Sequence, residues 1–214
     1  MSEIKYPEID YSLYLVTNST NKRDQEFLNI IEDALKGGVS LVQIREKELE
    51  LVPFYEKALK VKKLTDKYNV PLIINDRVSI AIGLGTCGAH IGQEDMDVEM
   101  VRKALNENQI LGVSASTVEE AIDAEKKGAD YLGCGAVFPT GTKDDAPDMT
   151  KEELINIVNA VNIPVVAIGG ITEDNVEEFE STGISGISVV SAIMESKNPK
   201  KSSENLKSKF ESIK

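Results

Sequence analysis

Short apolar runs rich in β-branched residues alternate along this chain with longer stretches where apolar side chains recur at helical spacing among Glu and Lys. The short runs are Leu13–Val16, Leu41–Ile44, Leu72–Ile74, Ala89–Ile91, Ile110–Val113, Tyr131–Gly133, Val165–Ile168 and Gly186–Val189. Their length and nearly unbroken apolarity predict parallel strands covered on both faces. The stretches between them, such as Gln25–Lys36 and Val52–Lys67, predict amphipathic helices, several ending near Gly or Pro. Ser196–Lys214 carries Leu206, Phe210 and Ile213 at helical spacing and reads as a closing helix.

Eight strand–helix repeats with no Pro/Gly/Ser linker predict one α/β domain over residues 1–214, a single (β/α)8 TIM barrel. Closure also leaves no unpaired strand edge. An open doubly wound sheet would alternate in the same way, but its Gly-rich phosphate turn is missing from Thr17–Thr20 after the first strand. A chain of 214 residues with 41% hydrophobic content suits one barrel with a full core.

Charge and cysteine content narrow the function classes. A net charge of −12 argues against a nucleic-acid partner, so a phosphate ligand needs local cations or a metal. The charged start, with Glu3, Lys5, Glu8 and Asp10, lacks the apolar stretch of a signal peptide, and no run is long enough to span a membrane; a soluble cytoplasmic protein is expected. Cys87 and Cys134 are too few and too far apart for a disulfide framework or zinc site and read as buried thiols. His90, the one histidine, lies within the fourth strand and reads as a packed core residue.

In such a barrel the active site collects on the loops after the strands. Gln43, Ile44, Arg45, Glu46 and Lys47 close the second strand, a cationic pair that is either ligand-binding or a solvated turn. Asn75-Asp76 and Gln93-Glu94-Asp95 follow the third and fourth strands. Neighbouring strands lie roughly 4.8 Å apart, so Asp76 and Asp95 can share a hard cation such as Mg²⁺; the alternative for Asp76 is a helix N-cap. Ser114 lies closest to the fifth strand's end, whereas Thr117 with Glu120 reads as a capping box. The polar loop Phe138–Lys143 carries two hydroxyls and a cation. Gly169-Gly170-Ile171-Thr172 and Val190-Ser191 open helices after the last two strands, a common place for phosphate.

Taken in order, the blocks Val42–Lys47, Ile73–Arg77, Gly92–Asp95, Gly112–Ser114, Pro139–Lys143, Ile168–Ile171 and Val189–Ser191 resemble the thiamine-phosphate synthases, from about Tyr14 to Ala192. The resemblance implies a Mg²⁺-dependent transferase. It would condense 4-amino-2-methyl-5-(diphosphooxymethyl)pyrimidine with 4-methyl-5-(2-phosphoethyl)thiazole, or its carboxylated tautomer, and release pyrophosphate. It further implies that Gln43, Ile44, Arg45, Glu46, Lys47, Asn75, Ser114 and Lys143 hold the pyrimidine diphosphate. Asp76 and Asp95 would hold Mg²⁺, and Thr140, Gly141, Thr142, Gly170, Val190 and Ser191 the thiazole phosphate. Arg45, Ser114 and Lys143 would be the catalytic groups. The implied partners are small phosphorylated substrates, with no nucleic acid and no membrane, and a homo-oligomer stays open.

Two positions depart from many relatives, Ser116 in place of His and Asp97 in place of Pro. The thiazole tautomerase paralogue would carry its proton-transfer histidine near Ser116. A non-catalytic sensor of thiamine precursors has no need of Asp76, Asp95 and Lys143, which are all present. A different phosphate-binding lyase or isomerase would rely on Glu46 or Glu94 as its acid or base.

Overall fold

The computed structural model describes residues 9–139 and 149–214. Eight strands close in chain order into a barrel: β1 (Leu13–Val16), β2 (Leu41–Ile44), β3 (Leu72–Asn75), β4 (Gly88–Ile91), β5 (Ile110–Ala115), β6 (Tyr131–Cys134), β7 (Val165–Ile168) and β8 (Gly186–Val189). Every neighbouring pair is parallel, and β1 seals the ring against β8 with Tyr14 opposite Ser188. The helices outside are α1 (Asp24–Lys36), α2 (Leu51–Lys67), α3 (Val78–Leu84), α4 (Val98–Ala104), α5 (Val118–Lys126), α6 (Lys151–Ala160), α7 (Ser191–Met194) and α8 (Pro199–Ser212).

Side chains alternate across each strand. Those pointing outward, among them Leu15, Val42, Ile44, Ile74, Val113, Leu132, Ala167 and Val189, join Phe27, Ile31, Phe54 and Val61 of the helices in one large core. Those pointing inward toward the bottom, including Tyr11, Tyr14, Leu41, Ile73, Cys87, Tyr131 and Val166, form a second, smaller cluster that plugs the barrel floor. Cys87 and Cys134 are buried free thiols, and burial pushes the Cys134 thiol up to about 12. As the spacing of Leu206 and Phe210 predicts, α8 closes the ring, with both side chains buried.

The inner wall makes room for Tyr131 with a glycine. Gly112 on β5 faces Tyr131 so closely that an added Cβ would overlap the phenol ring, whereas the ring as placed meets Tyr14 edge-on with centroids 6.0 Å apart. Gly112→Ala is therefore expected to destabilise the barrel by about 1–3 kcal/mol through overpacking. A lowered urea midpoint at unchanged slope checks this.

Several elements differ from the sequence expectation. The glycine pair after β7 opens no α-helix: Gly169 and Gly170 both take positive φ, 103° and 64°, and the chain then makes only a 3-10 turn at Val176–Phe179. The segment is stitched instead by Asn175, whose side chain donates to Gly170 O at 2.9 Å and accepts from Thr172 N at 2.8 Å. After β8 the expected helix is the single turn α7, which follows Val190 with no side-chain cap. The strands β3 and β5 also run further than apolarity alone suggests, so Asn75 and Ser114 lie within the ladder, facing His90 and Gly133 in register.

Candidate functional site

A cavity opens at the end of the barrel where the strands terminate, and most of the expected residues line it. Gln43, Arg45 and Lys47 come from the end of β2, Asn75 and Asp76 from β3, Asp95 from the β4 loop and Ser114 from β5. On the opposite wall stand Gly170, Val190 and Ser191, together with Ile168, Ile171 and Val189. The cationic wall and the apolar, glycine-lined wall thus face each other across one space. Thr140, Gly141, Thr142 and Lys143 lie outside the described residues.

Two residues of the β2 block are turned elsewhere. Ile44 is fully buried in the outer core, so only its backbone remains for a ligand. Glu46 is 8% exposed and accepts from Thr17 Oγ1 at 3.2 Å, from Ser19 N at 3.4 Å and from Ser19 Oγ, tying down the β1–α1 loop. This carboxylate is a clamp on the loop and does not line the cavity. Glu94, the other candidate acid, is exposed and also stands off the cavity wall.

Asp76 is not a helix cap. The cap position of α3 is Arg77, with no side-chain bond, and Asp76 itself sits at φ 58°, its amide donating to His90 O at 2.8 Å. Aspartate tolerates this left-handed conformation better than most residues, and such strain collects at functional positions. The Asp95 carboxylate accepts from Gly92 N at 2.6 Å, which holds the β4 loop against the strand end. Burial first, then the Asp95 charge and its shared hydrogen bond, raise the Asp76 carboxyl to about 6, against the opposing pull of Lys47 and Arg45. Two oxygen-donor carboxylates with surplus negative charge fit a hard cation that takes its remaining ligands from water and phosphate, as Mg²⁺ does. Among the described residues no group of three or more His, Cys, Asp or Glu forms a fuller cage.

Comparison with known proteins settles the kinship. Residues 13–193 match the family model described as thiamine monophosphate synthase. The chain belongs to that family. The thiamine-phosphate synthase of Methanobrevibacter smithii is 59% identical over 94% of this chain and 96% of its own length. That of Clostridium acetobutylicum is 52% identical, covering 87% and 88%. The solved structure of thiamine phosphate pyrophosphorylase from Pyrococcus furiosus superposes with a TM-score of 0.88 at 38% identity, over 96% of this chain and 98% of that one. A geranylgeranylglyceryl phosphate synthase from Thermoplasma acidophilum, TM-score 0.72 at 14% identity, shares the barrel alone.

Within this thiamine monophosphate synthase barrel, four inward residues escape a reading based on strand-end loops. His90, expected as a packed core residue, is buried but forms part of the cavity wall: Nε2 lies 3.1 Å from Ser114 Oγ and Nδ1 lies 3.0 Å from Tyr131 OH. Tyr14 OH accepts from Gln43 Nε2 at 2.7 Å and lies 2.7 Å from Tyr131 OH. Ser188 on β8 is 3% exposed and lines the same cavity. The sequence signal was the inward phase of each strand, where a polar residue at a two-residue period must face the barrel interior.

The Ser188 hydroxyl is the one buried side-chain polar atom among the described residues without a hydrogen-bond partner. An orphan buried hydroxyl is costly, and Ser188 presents its own to the cavity. Ser188→Ala is expected to stabilise the ligand-free protein by about 1 kcal/mol. A raised urea midpoint in the absence of substrates checks this; an unchanged or lowered midpoint would mean that the hydroxyl is already satisfied.

Proposed function

We propose that this cavity joins the aminopyrimidine diphosphate to the thiazole phosphate, with Mg²⁺ held at Asp76 and Asp95. The chain is a thiamine-phosphate synthase, a transferase of thiamine biosynthesis. The observation that carries the site assignment is the paired carboxylates of the β3 and β4 ends, beside Arg45 and Lys47 from the neighbouring end of β2.

In this reading the methylene C–O bond breaks with its electron pair leaving on pyrophosphate, and the thiazole nitrogen lone pair forms the new C–N bond. The 4-amino group of the pyrimidine releases electron density toward the methylene carbon, so no covalent nucleophile is required. Arg45 and Lys47 meet the growing negative charge on the leaving group, and Asn75 and Gln43 orient the pyrimidine half. Ser114 donates a hydrogen bond to the departing oxygen. Bound Mg²⁺ supplies further charge neutralisation to the diphosphate. Fixed donors aimed at developing charge are usually the largest catalytic term.

Gly170, Val190 and Ser191 would hold the thiazole phosphate, joined by Thr140, Gly141 and Thr142, with Lys143 on the diphosphate. Gly170 admits no side chain, because a Cβ there would press on Pro139 O at 2.6 Å and Phe138 Cβ at 2.7 Å. The Phe138-Pro139 segment thus lies directly against the glycine turn, with Phe138 N donating to Gly169 O at 3.1 Å.

Of the rival readings, a lyase or isomerase using Glu46 or Glu94 loses support from their positions, one engaged with Ser19 and the other outside the cavity. Titration of the protein with inorganic pyrophosphate tests the metal site directly. Affinity should be at least tenfold higher with Mg²⁺ than with EDTA, and Asp95→Asn should remove most of that difference; equal affinity in both buffers would refute the assignment.

A further inference from the structure

Five polar side chains from five strands form one line across the barrel. Gln43 Nε2 donates to Tyr14 OH at 2.7 Å, Tyr14 OH lies 2.7 Å from Tyr131 OH, Tyr131 OH 3.0 Å from His90 Nδ1, and His90 Nε2 3.1 Å from Ser114 Oγ. Ser114 and Gln43 are the ends that face substrate in the reading above. The three residues between them have no part in that chemistry, yet they are built in with care. Tyr131 is walled by Tyr11, ring centroids 5.1 Å apart, and by the missing side chain of Gly112; His90 leans on the bare face of Gly133. Burial pushes both phenols, Tyr14 and Tyr131, well above the ordinary tyrosine range, so each keeps its proton.

Following those protons gives the line a direction. A phenol has one proton to donate. With the Gln43 amide donating to Tyr14, the Tyr14 proton goes to Tyr131 and the Tyr131 proton to His90 Nδ1. The imidazole then carries its proton on Nε2 and donates to Ser114 Oγ. Ser114 is left with its own proton unspent. The opposite direction would put the Ser114 proton on His90 Nε2, and the hydroxyl could then only accept.

We propose that Tyr131 is a positioning residue: its phenol fixes His90 as the Nε2–H tautomer, and this turns the Ser114 hydroxyl proton into the cavity toward an oxygen of the departing diphosphate. The identity of that acceptor rests on the synthase reading; the tautomer and the direction of the line do not. Hydrogen bonds in such a chain polarise one another, so the Ser114 proton is a stronger donor than an isolated serine would offer.

The chain contains one histidine, so nitrogen-15 labelling of histidine in protein without an affinity tag gives a single imidazole spectrum. Two-bond nitrogen–proton couplings then identify the tautomer. The wild type should show Nε2–H alone at neutral pH, and Tyr131→Phe should populate the Nδ1–H form, because Nδ1 has lost its donor. In that variant kcat should fall about tenfold with both KM values within about twofold, because the Ser114 hydroxyl is no longer held toward the charged diphosphate. Ser114→Ala should then cost markedly less in the Tyr131→Phe background than in the wild type.

An Nδ1–H tautomer or an imidazolium in the wild type would overturn the proposal, as would full additivity of the two substitutions. Should Tyr131→Phe fail to fold, the wild-type spectrum alone decides the tautomer. Absence of thiamine phosphate from a wild type showing Nε2–H would overturn the choice of acceptor and the synthase reading together, leaving the direction of the line supported.

Discussion

Asp76→Asn is expected to lower kcat/KM by about a thousandfold, or ~4 kcal/mol of transition-state stabilisation, with Mg²⁺ in excess and the fold intact. The same substitution should make the metal-free protein more stable at pH 7 to 8. Asp76 has a folded pKa of about 6, raised above its ordinary 3.8 by burial and by Asp95. For an acid shifted upward, stabilisation is fully present below pH 3.8 and is lost as pH rises through about 6, so above that pH the folded chain carries the whole penalty of the charge. The carboxyl is partly open to solvent, which reduces the effect to about 1 kcal/mol, or ~2–4 °C in Tm.

At the proposed site, added Mg²⁺ would compete with a proton for Asp76. The Tm increase on adding Mg²⁺ should therefore be largest above pH 6 and shrink below it, and in Asp76→Asn it should be small and nearly independent of pH. Thermal unfolding at pH 5 and pH 8, with Mg²⁺ or EDTA, measures all four values. A Mg²⁺ effect as large at pH 5 as at pH 8 would contradict a site built on this carboxyl.

Ser114→Ala should lower kcat by about a hundredfold while leaving the KM for the thiazole phosphate within about twofold, the behaviour of a donor used mainly in the transition state. Ser114 Oγ is held by His90 Nε2 at 3.1 Å, and the Ser114 carbonyl accepts from Gln93 Nε2 at 2.6 Å, so the residue is fixed on both sides of its backbone before substrate arrives. Steady-state rates with each substrate varied in turn check this. A rise in the thiazole phosphate KM at unchanged kcat would place Ser114 on the other half of the site.

The closed barrel was legible because apolar runs of strand length recur with amphipathic helices between them, and parallel strands buried on both faces leave that signature. The signal failed where the barrel interior turns polar. Ser114 and Asn75 interrupt apolar runs and so look like loop residues, yet β5 continues through Ser114 opposite Gly133, and β3 through Asn75 opposite His90. His90 read as core because burial and inward orientation cannot be separated by composition, and in this strand both are true.

The β2 block shows the reverse failure. Gln43, Arg45 and Lys47 alternate toward the cavity, but Ile44 and Glu46, which share their neighbourhood in sequence, fall on the other phase of the strand and its extension. A contiguous motif therefore mixes cavity-facing residues with residues that hold the wall. The Gly169-Gly170 pair likewise looked like a helix opening, since glycine allows both a tight strand-to-helix turn and the left-handed pair found here.

The central claim is tested most directly by incubating the purified protein with the pyrimidine diphosphate, the thiazole phosphate and Mg²⁺, and following thiamine phosphate and pyrophosphate by chromatography beside an EDTA control. The account predicts equal molar amounts of the two products, formed only when Mg²⁺ is present. Pyrophosphate without thiamine phosphate, or undiminished product in EDTA, would contradict it.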